Sequence, residues 1–346
     1  MSIIGQTRKF VTTQILSHIP RKHHSLFSFG LQALSLTPYD SLSSNARQII
    51  ANTSTASSKI YRLVSNKKMV KHFSRLIALC GLVTKKSVIN VDFSTFCGFQ
   101  ALCFGVQTGN GRAIPIWNNC ITYPIKFVGS QNIFVLEEIT KFGKCLGFYP
   151  SFVFDRGFWI PLVMKFMLQN KICFYLRIKQ GQELSWIKEN YIDRRKAKKI
   201  GKYTKDATIT LFGHKMRLIV SPPPPKQTNP KKEQNTQRWY IITNNMTSTR
   251  GEIIQIYATR FEIEEVFKDY KHIQKLKSLR IKTKETFTIL LWFATLAFWI
   301  AWWIKGARGD TQVHPKKKRS FFRDFWEELQ RCLRYKGMRR LVCSPG

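Results

Sequence analysis

The sequence is short of acid. Its 346 residues hold 20 Asp and Glu against 57 Lys and Arg, a formal net charge of +37. A surplus of that size cannot be neutralised within the chain. A polyanionic partner is therefore expected, and an enzyme of small neutral metabolites is argued against. Nucleic acid and an anionic membrane surface both fit. Other absences narrow the field. None of the eight cysteines forms a CxxC, and no Cys/His set has zinc spacing. Most of them stand in apolar runs, so reduced, buried thiols of a cytosolic chain are expected rather than a disulfide framework. The N-terminal MSIIGQTRKFVTTQ has no long apolar core and no small-residue cleavage site, so it does not read as a signal peptide. No internal repeat is visible.

What is present suits a globular protein. The hydrophobic fraction is 44%, enough for a sizeable core, and the length suits about two domains. Residues 1–85 are polar, basic and helical in pattern, with short apolar-periodic pieces broken by Ser, Thr and Asn caps. They suit a small DNA-binding bundle, or a solvated basic domain without specificity. From Ser87 the pattern changes. SVINVDFSTF, ALCFGVQTG and AIPIWNNCITY read as three β-rich runs. A helix (GSQNIFVLEEITKFGKCL), a strand (SFVFDRGF), a helix (WIPLVMKFMLQNKI) and another strand (CFYLRIK) follow. That order predicts a mixed α/β sheet. A basic run (DRRKAKKIGKYTK), β-like pieces (DATITLFGHKMRLIV) and the loop SPPPPKQTNPKKEQNTQ interrupt it before RWYIITNN returns as a strand.

One run invites a second reading. Phe287–Ile304 is 18 residues without a charge, the lower limit for crossing a bilayer. The alternative is the core helix of a large α/β domain. The tail after Gly306 is basic and then helical.

Scarce acids set in apolar sequence stand out, because a buried carboxylate is costly unless paired or bound to metal. Asp92 lies in VINVDFSTF, on the strand face opposite Ile89, Val91 and Phe93. Asp155 ends the run SFVF. A strand-end Asp is commonly a cap, but two in one sheet raise the prospect of a metal site, and Mg²⁺ favours carboxylate oxygens. The third acid comes from helix geometry in EIIQIYATRFEIEEVFKDYKH. With Tyr257 at 0°, a step of about 100° per residue puts Arg260 at about 300°, Glu264 at about 340° and Lys271 at about 320°. Ile256, Ile263, Val266 and Phe267 lie beside that stripe, while Glu262, Glu265 and Asp269 fall off it and are expected in solvent. An ordinary amphipathic helix with Glu/Lys pairs has the same pattern.

At these residues the sequence resembles bacterial insertion-sequence transposases with a DDE catalytic triad. The signature Tyr-x2-Arg-x3-Glu-x6-Lys is present without spacing error as Tyr257, Arg260, Glu264 and Lys271. Phe261 stands where a Trp is common. DRGF is similar to the motif of the second Asp, and VINVDFSTF to the first-Asp strand. The resemblance covers about Ser87 to Ile304. It implies a ribonuclease-H-like fold: an α/β mixed sheet flanked by helices, with a β-rich insertion before the Glu helix and a small helical N-terminal domain. The implied organisation is residues 1–85 recognising terminal inverted repeats, 86–306 as the catalytic domain with its insertion at 181–245, and 307–346 as a basic helical tail. It makes Phe287–Ile304 a buried helix, with no membrane involved.

The resemblance also implies chemistry. Asp92, Asp155 and Glu264 would be the catalytic acids and would hold two Mg²⁺ ions, with Mn²⁺ able to substitute. Tyr257, Arg260, Lys271 and Arg156 would contact DNA, although Arg156 could equally pair with an acid. Trp239 would stack on a displaced base or sit in the core. Tyr257 would not be a nucleophile, in contrast to the tyrosine recombinases. The partners implied are double-stranded DNA, both the inverted repeats and the target, and a second copy of the chain in the DNA complex. The place of action would be the cytoplasm, at the nucleoid. The activity implied is cut-and-paste transposition: DNA cleavage at element ends and strand transfer. A metal-dependent nuclease of the same fold, a non-catalytic DNA-binding derivative and a basic membrane-associated protein are the alternatives. The presence of all three acids argues against a decayed derivative.

Overall fold

Eight strands, most of them apolar along nearly their whole length, build one sheet. They are β1 (Val88–Phe96), β2 (Phe99–Val106), β3 (Ile114–Thr122), β4 (Ser151–Phe154), β5 (Phe174–Ile178), β6 (Asp206–Leu211), β7 (His214–Val220) and β8 (Tyr240–Thr243). The computed structural model describes residues 15–35, 53–66, 68–79, 81–96, 98–122, 131–158, 161–179, 205–222, 238–274, 276–278 and 281–307, with isolated positions at 13, 181, 184, 185, 187, 199, 200, 323, 326 and 327. Most of the basic run 193–205, the proline-rich loop and nearly all of the 307–346 tail lie outside the described residues.

The sheet order is β3-β2-β1-β4-β5-β8-β7-β6. β1 pairs antiparallel with β2 and parallel with β4, and β4 is parallel to β5. The β-rich insertion extends this same sheet, because β8 pairs antiparallel with β5 and carries β7 and β6 outward. The period of two decides which face each residue serves. Phe152, Phe154, Phe174, Leu176, Leu218 and Ile242 join the main core, while Val153, Tyr175, Ile219 and Ile241 form a smaller cluster on the opposite face. Both faces are therefore apolar and both are covered.

The helices are α1 (Arg21–Ser35), α2 (Thr53–Ser65), α3 (Lys68–Leu79), α4 (Gln131–Leu146), α5 (Pro161–Gln169), α6 (Arg250–Ala258), α7 (Glu262–Lys268) and α8 (Lys284–Ala307). α6 covers the smaller cluster with Ile253 and Tyr257. Thr249 starts it with a capping box: its hydroxyl accepts the Glu252 N–H, and the Glu252 carboxylate accepts the Thr249 N–H. The fold is an α/β mixed sheet flanked by helices, in the order read from the sequence.

α8 contains the membrane-length run. From Phe287 to Ala301 every residue is buried, which is the behaviour of a core helix apolar on all sides. It lies on β3 and beneath the N-terminal helices. Trp292 stacks on Phe73 of α3 at 5.3 Å and meets Trp117 of β3 edge-on at 5.7 Å. Phe293 meets Phe27 of α1 at 5.3 Å. Each such ring contributes about 1.5–3 kcal/mol on burial. Gly30 on α1 is fixed by this packing, since a Cβ there would lie 2.5 Å from the Phe293 ring. The three N-terminal helices thus share the core of the sheet domain through α8.

Candidate active site

Two acids meet because two neighbouring strands are parallel. The β1–β4 register pairs Val91 with Phe154, and the next residue along each chain is Asp92 and Asp155. β4 stops there, and the turn Arg156–Phe158 begins with the Phe158 N–H donating to the Asp155 carbonyl at 2.9 Å. Arg156 is exposed in this turn.

The third acid arrives on the segment running through α6 and α7. A single helix is expected over Tyr257–Lys271, and the structure differs. Thr259–Phe261 form a 3₁₀ turn between α6 and α7, and Asp269–Ile273 form a π turn after α7. The break places Arg260 inward, 3% exposed. Its guanidinium donates to Asp92 Oδ2 at 3.4 Å and to Glu264 Oε1 at 2.9 Å. Tyr257 donates its hydroxyl to Asp155 Oδ1 at 3.1 Å. The Arg260 guanidinium also lies over the Phe261 ring at 4.5 Å. Three acids from β1, the end of β4 and α7 are thus linked to one arginine and one tyrosine.

The electrostatics follow from burial. It raises the Asp92 carboxyl from 3.8 to about 6, opposed by the Arg260 charge and the Phe93 N–H, and supported by the charges of Asp155 and Glu264. Burial likewise raises the Tyr257 phenol, with Asp155 adding to it, so that hydroxyl stays a donor. Burial works against the Arg260 charge, but Asp155, Tyr257, Asp92 and Glu264 outweigh it and keep the guanidinium ionised. The Glu264 side chain is 44% exposed, against 20% for Asp92.

The donor set suits a hard divalent cation, because all its ligand atoms are carboxylate oxygens. The Arg260 guanidinium supplies a positive charge between Asp92 and Glu264. In this arrangement no three acids, histidines or cysteines among the described residues converge tightly enough to share one ion.

Other expected residues lie elsewhere. Lys271 sits on the π turn with its ammonium over the Phe96 ring at 5.2 Å, and burial lowers its pKa with help from Lys277. Trp239 is half-buried, edge-on to Tyr257 at 5.2 Å and tilted against Phe261 at 5.9 Å, a packing position. Glu262 and Asp269 are not in solvent: they are 5% and 3% exposed. Glu262 accepts the N–H groups of Thr108 and Gly111, each at 2.9 Å, and Asp269 accepts from Arg112 at 2.7 Å. The hairpin loop between β2 and β3 supplies these partners, and no helix-wheel count contains that loop. The sequence reading also passed over Asn90 and Gln107. Asn90 could have been noticed, being a polar residue in the apolar run VINV on the same strand face as Asp92.

Residues 148–300 match the family model described as transposase DDE domain. That span holds Asp155 and the whole signature segment, while Asp92 lies before it and joins the site through the β1–β4 register. A cryo-EM structure of a piggyBac transposase synaptic complex with hairpin DNA is similar in fold. Its TM-score is 0.50 at 12% identity, covering 99% of this chain and 80% of that one. No curated protein matches the chain. The signature, the mixed sheet that carries it and the family match agree: residues 148–300 of this chain are similar to the transposase DDE domain.

Proposed function

We propose that this protein cleaves DNA at the ends of an insertion element and transfers the free 3′ ends to target DNA, with Asp92, Asp155 and Glu264 as its catalytic acids. The observation that carries this reading is the bridge from Asp92 through Arg260 to Glu264, with Asp155 beside it under the Tyr257 hydroxyl. Asp92, Asp155 and Glu264 would hold Mg²⁺, or Mn²⁺ in its place, which when bound supplies activation of the attacking oxygen and charge stabilisation of the leaving one.

The chain's own residues have separate tasks. Tyr257 orients Asp155 through its hydroxyl and, with its phenol held protonated, is not a nucleophile. Arg260 offsets the mutual repulsion of the acids and is the cation closest to a phosphate bound over them. Lys271 and Arg156, on separate turns, bind the DNA backbone on either side. The +37 charge supplies non-specific, salt-dependent affinity. Residues 1–85 recognise the inverted repeats, 86–306 carry out the chemistry, and 307–346 add basic contacts. Pairing two element ends calls for two copies of the chain, as a synaptic complex does, acting in the cytoplasm at the nucleoid.

The test is incubation of the purified protein with Mg²⁺, DNA carrying the element's ends, and a second, unrelated DNA. Joined products support a transposase. Cleavage without joining identifies a metal-dependent nuclease, and binding without cleavage a DNA-binding derivative.

A further inference from the structure

The break at Thr259–Phe261 does not stand unsupported. Within the turn the Thr259 carbonyl accepts the Glu262 N–H, and the Ile256 carbonyl accepts the Thr259 hydroxyl at 2.7 Å. Two side-chain amides tie the same two carbonyls to the sheet. Asn90, fully buried on β1 two residues before Asp92, donates its Nδ2 to the Thr259 carbonyl at 3.1 Å. Gln107, just after β2, donates its Nε2 to the Ile256 carbonyl at 2.9 Å and to Asn90 Oδ1 at 2.6 Å. On the far side of the break Glu262 grips the β2–β3 loop through Thr108 and Gly111, and its own carbonyl accepts the Ala113 N–H at 3.2 Å. Gly105 allows the close approach: a Cβ there would lie 2.8 Å from Ala113 Cβ and 3.7 Å from Ile263.

The consequence is angular. A 3₁₀ turn advances about 120° per residue against about 100° in an α-helix, so three residues of it rotate everything beyond by about 60°. Glu264 comes after the break and Tyr257 before it. If the segment relaxed to a continuous helix, Glu264 would turn about 60° relative to Tyr257; Arg260 and Glu264, four residues apart, would stay neighbours, but the pair would face Asp92 and Asp155 differently. The strand that carries Asp92 also carries the amide that supports the break.

We propose that Asn90 and Gln107, together with Glu262, are positioning residues that hold the 3₁₀ break and so fix Arg260 and Glu264 against Asp92. The inference deepens the transposase reading and rests on it for its catalytic consequence. None of the three touches the reacting groups. They act through the backbone of the signature segment.

Two substitutions test it. Gln107→Met keeps the side-chain length and removes both amide donations. Glu262→Gln keeps the shape and removes the charge that holds the two loop amides. In each variant the single-turnover rate of element-end cleavage should fall by about 100-fold, the cost of a small misplacement of catalytic groups. End-binding affinity should stay as in the wild type, melting temperature should fall by only a few degrees, the cost of one or two buried hydrogen bonds, and backbone hydrogen exchange should rise over residues 256–264. Unchanged cleavage overturns the proposal. So does a loss in which cleavage, DNA binding and melting fall together, since that is a merely structural role. An inactive wild type overturns the transposase reading instead. Hydrogen exchange then decides this proposal alone: unchanged protection at 256–264 in both variants refutes it.

Discussion

Asp92→Asn separates the catalytic role proposed for this carboxylate from what its burial costs the fold. The carboxyl is raised from 3.8 to about 6, chiefly by burial, so the native state holds its proton more tightly than the unfolded chain does. A group raised in this way is compatible with stability while protonated and penalises the fold once ionised. The penalty is absent below about pH 4, grows between about pH 4 and pH 6, and is constant above. Its full size is about 3 kcal/mol, taking 1.36 kcal/mol per pKa unit. Asparagine has nearly the shape of the protonated acid and never ionises, and Arg260 keeps its hydrogen bond to Glu264. Asp92→Asn should therefore be more stable than the wild type by about 3 kcal/mol at pH 8, with the gain shrinking towards zero near pH 4. Denaturant unfolding at a series of pH values reads this directly. Added Mg²⁺ should raise the wild-type midpoint and leave the variant unmoved. A variant no more stable than wild type at pH 8, or a gain that ignores pH, would refute the reasoning.

Further expectations concern the neighbours of that acid. Tyr257→Phe removes one hydrogen bond to a carboxylate, so cleavage should slow by about tenfold, equivalent to about 1.5 kcal/mol, without being abolished. A covalent DNA adduct on the wild-type tyrosine would contradict the assignment. Lys271→Ala should weaken DNA binding evenly across sequences and reduce the slope of log affinity against log salt by about 1, measured by fluorescence anisotropy. A sequence-selective loss would place Lys271 at a base edge instead.

Much of the fold was legible in the sequence because both faces of the sheet are apolar and the strand runs are bounded by turns. The two Asp positions were legible for a related reason: a carboxylate in VINVDF or after SFVF interrupts an otherwise apolar run. The membrane-length segment could not be placed by composition, since apolar residues on every side of α8 are required equally by lipid and by a core shared with Phe27, Phe73 and Trp117. Helix-wheel geometry set Tyr257, Arg260 and Glu264 on one stripe, and the structure brings these three together, but it assumed a straight helix. The 3₁₀ break depends on amides from Asn90 and Gln107, distant in sequence, and no local periodicity reports them. Glu138, Glu262 and Asp269 carry the same lesson. All three are buried, and each is matched by a partner elsewhere in the chain: Trp117 with Lys141, the Thr108 and Gly111 amides, and Arg112. Scarce acid in a basic chain marks candidates, but only the fold separates acids with dedicated structural partners from those that share one arginine.

The central claim is that Asp92, Asp155 and Glu264 act as one catalytic set on DNA. Its most direct test is Mg²⁺-dependent cleavage of DNA carrying the element's ends by the wild type and by Asp92→Ala, Asp155→Ala and Glu264→Ala, each checked for retained folding and end binding. The prediction is cleavage by the wild type and none by any of the three variants. Cleavage at the wild-type rate by any one of them would contradict the assignment.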